Sequence, residues 1–128
     1  MNKQILLQRM KNFALRIIRM IDKMPVSNSS RVIGSQVLRS ATSIGANYVA
    51  CYRAKSTRDF INKLKIIEEE TAETIFWLEL LDESGIFETN KITSLKTEAN
   101  EILSIIVASI KTAKKKSMTN ASQETKQS

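Results

Sequence analysis

The sequence predicts an all-α protein, an antiparallel up-down-up-down four-helix bundle with a left-handed twist. Three observations predict this fold. The 128 residues are the usual size of one domain, one proline and three glycines leave few turns, and apolar residues recur at alternating spacings of three and four. Breaks near Pro25, at residues 54–57 and near Gly85 divide the chain into four long segments. Long helices joined by short turns are typical of such bundles.

Each of the four segments has an apolar stripe with the helical period. The first stripe consists of Leu6, Met10, Phe13, Ile17, Met20 and Met24. The second, with small residues between its members, consists of Ile33, Val37, Ala41, Ile44, Tyr48 and Cys51. The third starts after a capping pair, Ser56 and Asp59, and consists of Phe60, Leu64, Ile67, Thr71, Thr74, Leu78 and Leu81. The fourth consists of Ile92, Leu95, Ala99, Ile102, Ile106, Ser109 and Ala113.

The periodic pattern ends near Lys114, and this sets the predicted domain boundary. Residues 1–114 are expected to form the bundle. Residues 115–128 contain one apolar side chain and no period, so we expect a disordered basic and polar C-terminal tail.

The composition excludes most catalytic chemistry. Without histidine the chain has no Ser-His-Asp or Cys-His arrangement and no histidine-containing zinc or di-iron site. The glutamates at 68, 69, 70 and 73 are interpreted as a solvated or ion-paired helix face. We therefore expect no enzyme, no metal or other cofactor and no small-molecule substrate.

The same composition predicts a cytoplasmic protein without a membrane contact. The single cysteine, Cys51, cannot form an internal disulfide, and the chain opens without the pattern of a signal peptide. No apolar run reaches the length of about 18 residues that a transmembrane helix needs.

Charge is distributed very unevenly along the chain. Residues 1–56 have a net charge of +9, residues 57–90 have −6 and residues 91–128 have +4. Four basic residues of the first helix fall within about 80° of one another on a helical projection, namely Arg9, Arg16, Arg19 and Lys23. The candidate nucleic-acid-binding residues of the first two helices are Arg9, Arg16, Arg19, Lys23, Arg31, Arg39, Arg53 and Lys55.

Three interpretations of these basic residues stay open. They can bind the phosphates of RNA or DNA, since guanidinium groups match phosphate geometry. They can face the acidic third helix of a neighbouring subunit, or they can be solvated. Lys114, Lys115 and Lys116 are further candidates for phosphate contact. Aromatic residues are only 5% of the chain, which argues against a single-strand binder that stacks bases on aromatic rings.

The fourth helix is apolar around nearly its whole circumference. This predicts either a generous core or a surface for self-association, and we favour self-association. The candidate oligomer-interface residues, which include one on a second stripe of the third helix, are Ile102, Leu103, Ile105, Ile106, Val107, Ile110 and Trp77.

Three strings in order resemble a known bacterial family. They are RSATSIGAN from Arg39, DFINKL from Asp59 and ETIFWLELL from Glu73. Together they resemble the bacterial four helix bundle protein family, which includes proteins encoded within intervening sequences of 23S rRNA genes. The family is similar to the accessory variability determinant of diversity-generating retroelements, and the resemblance covers about residues 5–114.

The resemblance implies a four-helix bundle that assembles as a homopentamer with a basic surface. For the retroelement relatives it also implies binding to nucleic acid and to a reverse transcriptase. It carries no catalytic residues. The matching positions are interpreted as packing and interface residues; they are Arg39, Asn47, Asp59, Lys63 and Trp77.

The sequence therefore predicts a non-enzymatic oligomeric bundle that binds RNA or DNA electrostatically, as an accessory to a nucleic-acid-processing partner such as a reverse transcriptase. The alternative is a protein-interaction scaffold with no nucleic-acid role.

Overall fold

The computed structural model of the protein is an all-α four-helix bundle, which confirms the predicted fold class. It describes the backbone of residues 2–88 and 90–127, and the side chains within these ranges up to residue 120. The helices are α1 (Lys3–Asp22), α2 (Asn28–Cys51), α3 (Thr57–Ser84) and α4 (Lys91–Gln127). The three predicted breaks fall between these helices.

The helix ends are fixed by local side-chain chemistry. The Ser56 hydroxyl accepts a hydrogen bond from the Asp59 N–H at 3.0 Å, so the predicted capping pair does begin α3. A reciprocal Ser27–Ser30 capping box begins α2. Gly85 ends α3 with a φ of 71°, the left-handed conformation in which glycine avoids the penalty of a Cβ.

The core consists largely of the predicted apolar stripes. Four stripe members are only partly buried, namely Ile33, Phe60, Ser109 and Ala113, whereas the neighbouring Ile61 and Ile110 are buried. Phe13, Ile44, Leu64 and Ile102 represent the four helices among its fully buried side chains. Ile102 and Ile106 are 0% exposed, and Ile110 is also buried. The prediction that these three isoleucines form an oligomer interface is therefore wrong. The bundle itself covers them, because they continue the a/d-type spacing set by Leu95.

The helices are arranged around α3, which packs extensively against both α2 and α4. Helix α1 packs against α2 and more loosely against α4. Successive helices run antiparallel. As a result, the α2–α3 connection lies at the same end as the start of α1, and the α3–α4 connection lies at the other end.

Small and hydroxyl side chains of α2 allow its close packing. At Gly45 α2 faces α1, where an added Cβ would lie 3.6 Å from the Met10 Cβ, an ordinary van der Waals contact. On the other side, the Thr74 hydroxyl donates to the buried Ser40 hydroxyl at 2.8 Å. Among the described residues, no buried side-chain nitrogen or oxygen lacks a hydrogen-bond partner.

Helix α4 does not end at Lys114 as predicted. It continues through residues 115–127, whereas a disordered tail was expected for 115–128; Ser128 lies outside the described residues. This stretch contains no proline or glycine, and about half of its residues are lysine, glutamine, alanine or glutamate, which favour helix. Ser117 and Asn120 line a cleft with residues of the α2–α3 connection, so this part of α4 still borders the bundle.

Ile106→Ala should destabilise the bundle by about 2–5 kcal/mol, because it leaves a cavity where a fully buried side chain stood. Val26→Ala is the matched control, since Val26 is 94% exposed and its loss should change stability by less than about 0.5 kcal/mol. Urea unfolding followed by circular dichroism measures both. Equal midpoints for the two variants would contradict the core assignment.

Candidate nucleic-acid interface

Two of the four basic residues predicted to share a face of α1, Arg9 and Arg16, contact α4. The Arg9 guanidinium bonds to Glu98 at 2.5 and 3.1 Å and to Glu101 at 2.6 Å. Arg16 donates to the Ser94 hydroxyl at 2.6 Å. The pKa of Arg9 is raised, chiefly by its hydrogen bond to Glu98. Arg9 is thus already neutralised within the bundle and is a poor candidate for phosphate.

Arg39 is also paired inside the molecule. It contacts Glu70 at 3.3 Å and forms a short ion pair with Glu73. Glu73 accepts a further hydrogen bond from the Trp77 indole N–H at 3.1 Å. The Arg39 ion pairs with the two glutamates connect α2 to α3, and Trp77 bonds to one of these glutamates within α3. This agrees with the packing role that the resemblance implied for Arg39 and Trp77.

Asp59, Lys63 and Asn47 also make local contacts. Lys63 forms an ion pair with Asp59 at 3.0 Å. The Asn47 amide donates to the Ser43 carbonyl at 2.8 Å, one turn earlier on α2.

Arg19, Lys23 and Arg31 lie toward the end of the bundle where α1 ends and α2 begins. Residues 19–31 and 82–96 meet there, and together they contain nearly as many acidic as basic residues. Lys96 pairs with Asp82 at 3.0 Å across α3 and α4. The Lys23 ammonium lowers the pKa of Lys91, which shows that these two cations are close. This end has no strong excess of positive charge.

The opposite end is strongly basic, and we call it the basic end. It comprises residues 51–63, residues 111–120 of α4, and Lys3. Residues Tyr52, Lys55 and Phe60 line one cleft with Lys116, so the two segments are neighbours. The basic residues of the two segments are Arg53, Lys55, Arg58, Lys63, Lys111, Lys114, Lys115 and Lys116.

Asp59 is the one acidic residue of these two segments, and its carboxylate is already paired within the protein. Its carboxylate accepts hydrogen bonds from the Lys55 N–H and the Lys63 ammonium, both at 3.0 Å. The first of these bonds is the main reason that the pKa of Asp59 is lowered. The remaining cations of the basic end therefore have little local compensation.

Sequence reasoning found part of this site. It predicted Arg53 and Lys55, and it noted the three lysines from Lys114 as further candidates. It did not predict Arg58, Lys63 or Lys111 as phosphate contacts, because only the antiparallel fold places residues 51–63 beside residues 111–120.

The cleft at the basic end also contains aromatic rings, which the sequence analysis did not predict. The Tyr52 ring lies edge-on to Tyr48, with centroids 5.4 Å apart, and to Phe60 at 6.2 Å. The two tyrosine hydroxyls are 3.0 Å apart. The Lys3 ammonium lies 3.7 Å from the centroid of the Tyr52 ring. Three of the chain's seven aromatic residues thus gather beside its largest excess of positive charge.

The other predicted interface residues are not freely exposed. Leu103, Ile105, Val107 and Trp77 are half-buried, and Ile105 and Trp77 pack against the core. The larger exposed apolar side chains lie elsewhere, for example Val32 on α2 and Phe76 on α3, where Phe76 is 51% exposed.

Among the residues whose structure is described, no three histidine, cysteine, aspartate or glutamate side chains come together as metal ligands would. No described helix combines the length and apolarity needed to span a bilayer.

Comparison with known proteins shows the family. The family described as "23S rRNA-intervening sequence protein" matches residues 2–108, so this chain belongs to that family and the resemblance is confirmed. A crystal structure of a protein of unknown function from the S23 ribosomal protein family of Bacteroides thetaiotaomicron is 34% identical in sequence. The match covers 87% of this chain and 99% of that one, with a TM-score of 0.77. No curated protein matches the chain.

Cys51 should react slowly with iodoacetamide in the folded protein. Burial raises the pKa of its thiol to about 11, so the thiolate is on the order of one part in a thousand at pH 8. We expect alkylation at least about 100-fold slower than in urea-unfolded protein, measured by mass spectrometry. The free energy of unfolding should also fall as the pH rises from about 8.5 toward 11, because the unfolded thiol ionises first. Equal alkylation rates in the folded and unfolded states would contradict this burial.

Proposed function

We propose that this protein is a non-enzymatic nucleic-acid-binding bundle that holds phosphate groups at its basic end. The observation that carries the proposal is the charge of residues 51–63 and 111–120. Together these segments contain eight lysine and arginine residues and only one acidic residue. That acidic residue, Asp59, is already bonded to Lys55 and Lys63. A concentrated and uncompensated positive charge is what a polyanion recognises.

The arrangement suits a phosphate backbone better than a single small anion. The cations extend from the α2–α3 connection to α4, and Lys55 and Lys116 face the same cleft. Several phosphates of one strand can therefore be bound at once. Lysine ammonium groups contact phosphates without reading base sequence, so the binding is expected to have little sequence preference.

RNA is the first nucleic acid to test. The family is named for proteins of 23S rRNA intervening sequences, and the structural neighbour belongs to a ribosomal protein family. These names support RNA as the polyanion, and duplex DNA is the comparison. A reverse transcriptase partner, implied by the resemblance, stays a prediction.

Lys55→Glu combined with Lys116→Glu should weaken RNA binding at least about tenfold at about 0.1 M salt, because two phosphate contacts become repulsive. The slope of log K against log salt should also become shallower by about 2. Fluorescence anisotropy with a labelled structured RNA across a salt series measures both quantities.

The matched control is Lys11→Glu combined with Lys65→Glu, which changes the net charge equally at exposed positions along the sides of α1 and α3. It should weaken binding much less. Equal weakening by the two pairs would mean that overall charge, and not the basic end, determines binding. A third pair, Arg16→Glu with Arg19→Glu, tests the sequence-based site on α1; complete loss of binding in this pair alone would move the site there.

A second candidate function is a protein-interaction scaffold, in which copies of the chain associate through α3. The favouring observation is Phe76, which is half exposed and lies edge-on to Trp77 with ring centroids 5.2 Å apart. An aromatic pair at the surface, beside the Arg39–Glu73 ion pair, has the composition of a protein contact. The oligomer predicted from the sequence would then use this surface and not the buried isoleucines of α4.

Phe76→Ser should lower the mass measured by multi-angle light scattering, because it removes the exposed ring without touching the core. Ile5→Ser is the control, since Ile5 is equally exposed on α1 and should leave the mass unchanged. An unchanged mass for Phe76→Ser would exclude this surface as the contact between copies.

A further inference from the structure

The cleft at the basic end combines three kinds of side chain. Its lining includes the aromatic rings of Tyr52 and Phe60 and the ammonium groups of Lys55 and Lys116. The lining also includes residues able to form hydrogen bonds, namely Ser56, Thr57, Ser117 and Asn120. We propose that this cleft receives an unpaired base of a single-stranded nucleic acid, with Tyr52 as the stacking residue. This inference rests on the proposed nucleic-acid-binding function and names the part of the nucleic acid that is bound.

Contacts within the protein fix the position of Tyr52 before a base binds. It caps the C-terminal end of α2, where its backbone N–H bonds to the carbonyls of Val49 and Ala50. Its hydroxyl bonds to that of Tyr48, whose side chain is buried. The ring is nevertheless 45% exposed. A rigid ring that remains accessible loses little conformational entropy when a base stacks on it.

The Lys3 ammonium lies over one face of the Tyr52 ring, 3.7 Å from its centroid, and a base that stacks on that face takes its place. An exposed cation–π contact of this kind is weaker than the stacking of a base on an aromatic side chain. A base can therefore displace the Lys3 ammonium from the Tyr52 ring. The displaced ammonium stays nearby and can bind the phosphate of the same nucleotide.

The geometry favours an unpaired base over a duplex. The Tyr52 and Phe60 rings lie within a cleft between the α2–α3 connection and α4. A base in a duplex is stacked between its neighbours and can enter such a cleft only after it unstacks, which costs free energy. A base in a loop or single strand avoids that cost, and Lys55 and Lys116 can hold the phosphates on either side.

The test compares three probes that have the same backbone charge per strand. They are a labelled single-stranded RNA of about 12 nucleotides, within the range of single-strand sites, an abasic strand of the same length, and the corresponding duplex. Wild-type protein should bind the RNA about tenfold or more tightly than the abasic strand in anisotropy measurements. DNA strands of the same length separate a preference for RNA from a preference for unpaired bases.

Substitution of Tyr52 assigns the effect to the ring. Tyr52→Leu should weaken binding of the single strand about 5- to 100-fold and leave the abasic strand unchanged, because it removes stacking alone. Tyr52→Phe is the matched control and should bind as the wild type does, since it keeps the ring. Circular dichroism establishes that both variants are folded.

Failure of the inference and failure of the proposed function give different results. If wild-type protein binds the RNA and the abasic strand equally, and the Lys55→Glu, Lys116→Glu pair weakens both, the phosphate site stands and the base site is wrong. Tighter binding of the duplex than of the single strand would also overturn the base site. If none of the probes binds even at low salt, the proposed function fails and the inference fails with it. The comparison on wild-type protein decides the question even if Tyr52→Leu does not fold.

Discussion

The packing of α3 between α2 and α4 is the constraint on which the rest of the structure depends. The Ser40–Thr74 hydrogen bond and the Arg39 ion pairs with Glu70 and Glu73 connect α2 to α3. Because the helices alternate in direction, this packing decides which segments meet at each end. Residues 51–63 and 111–120 meet at one end, and the excess of positive charge follows from their composition. One end of the bundle is therefore much more basic than the other.

Apolar periodicity was sufficient to predict the helices and most of the core. Spacings of three and four place Leu6, Ile44, Leu78 and Ile106 on inward faces, and the structure buries all four. Breaks that depend on local chemistry were also predictable, as Ser56 and Gly85 show. In α4 the same periodicity indicates which residues are buried in the core. The additional apolar residues Leu103 and Val107 lie beside them and are only half-buried.

The site was harder to predict, because a helical projection does not show what lies opposite each face. Arg9 and Arg16 share one face of α1, but that face meets Glu98 and Ser94 of α4 and is only partly exposed to solvent. Tyr52 and Lys116 are 64 positions apart in the sequence and line the same cleft. The few aromatic residues argued against base stacking when they were counted over the chain, whereas their position beside the lysines supports it. Residue counts along a sequence do not show which side chains lie close together, whereas the fold does.

The most direct test of the central claim is a lysine footprint of the complex with a structured RNA. Free and bound protein would be acetylated briefly, and the modification of each lysine measured by mass spectrometry. We predict that RNA protects Lys55 and the three lysines from Lys114 to Lys116. Lys23 and Lys96, at the opposite end, should be modified equally with and without RNA. Protection of Lys11 and Lys23 along α1, with the basic end still fully modified, would contradict the account.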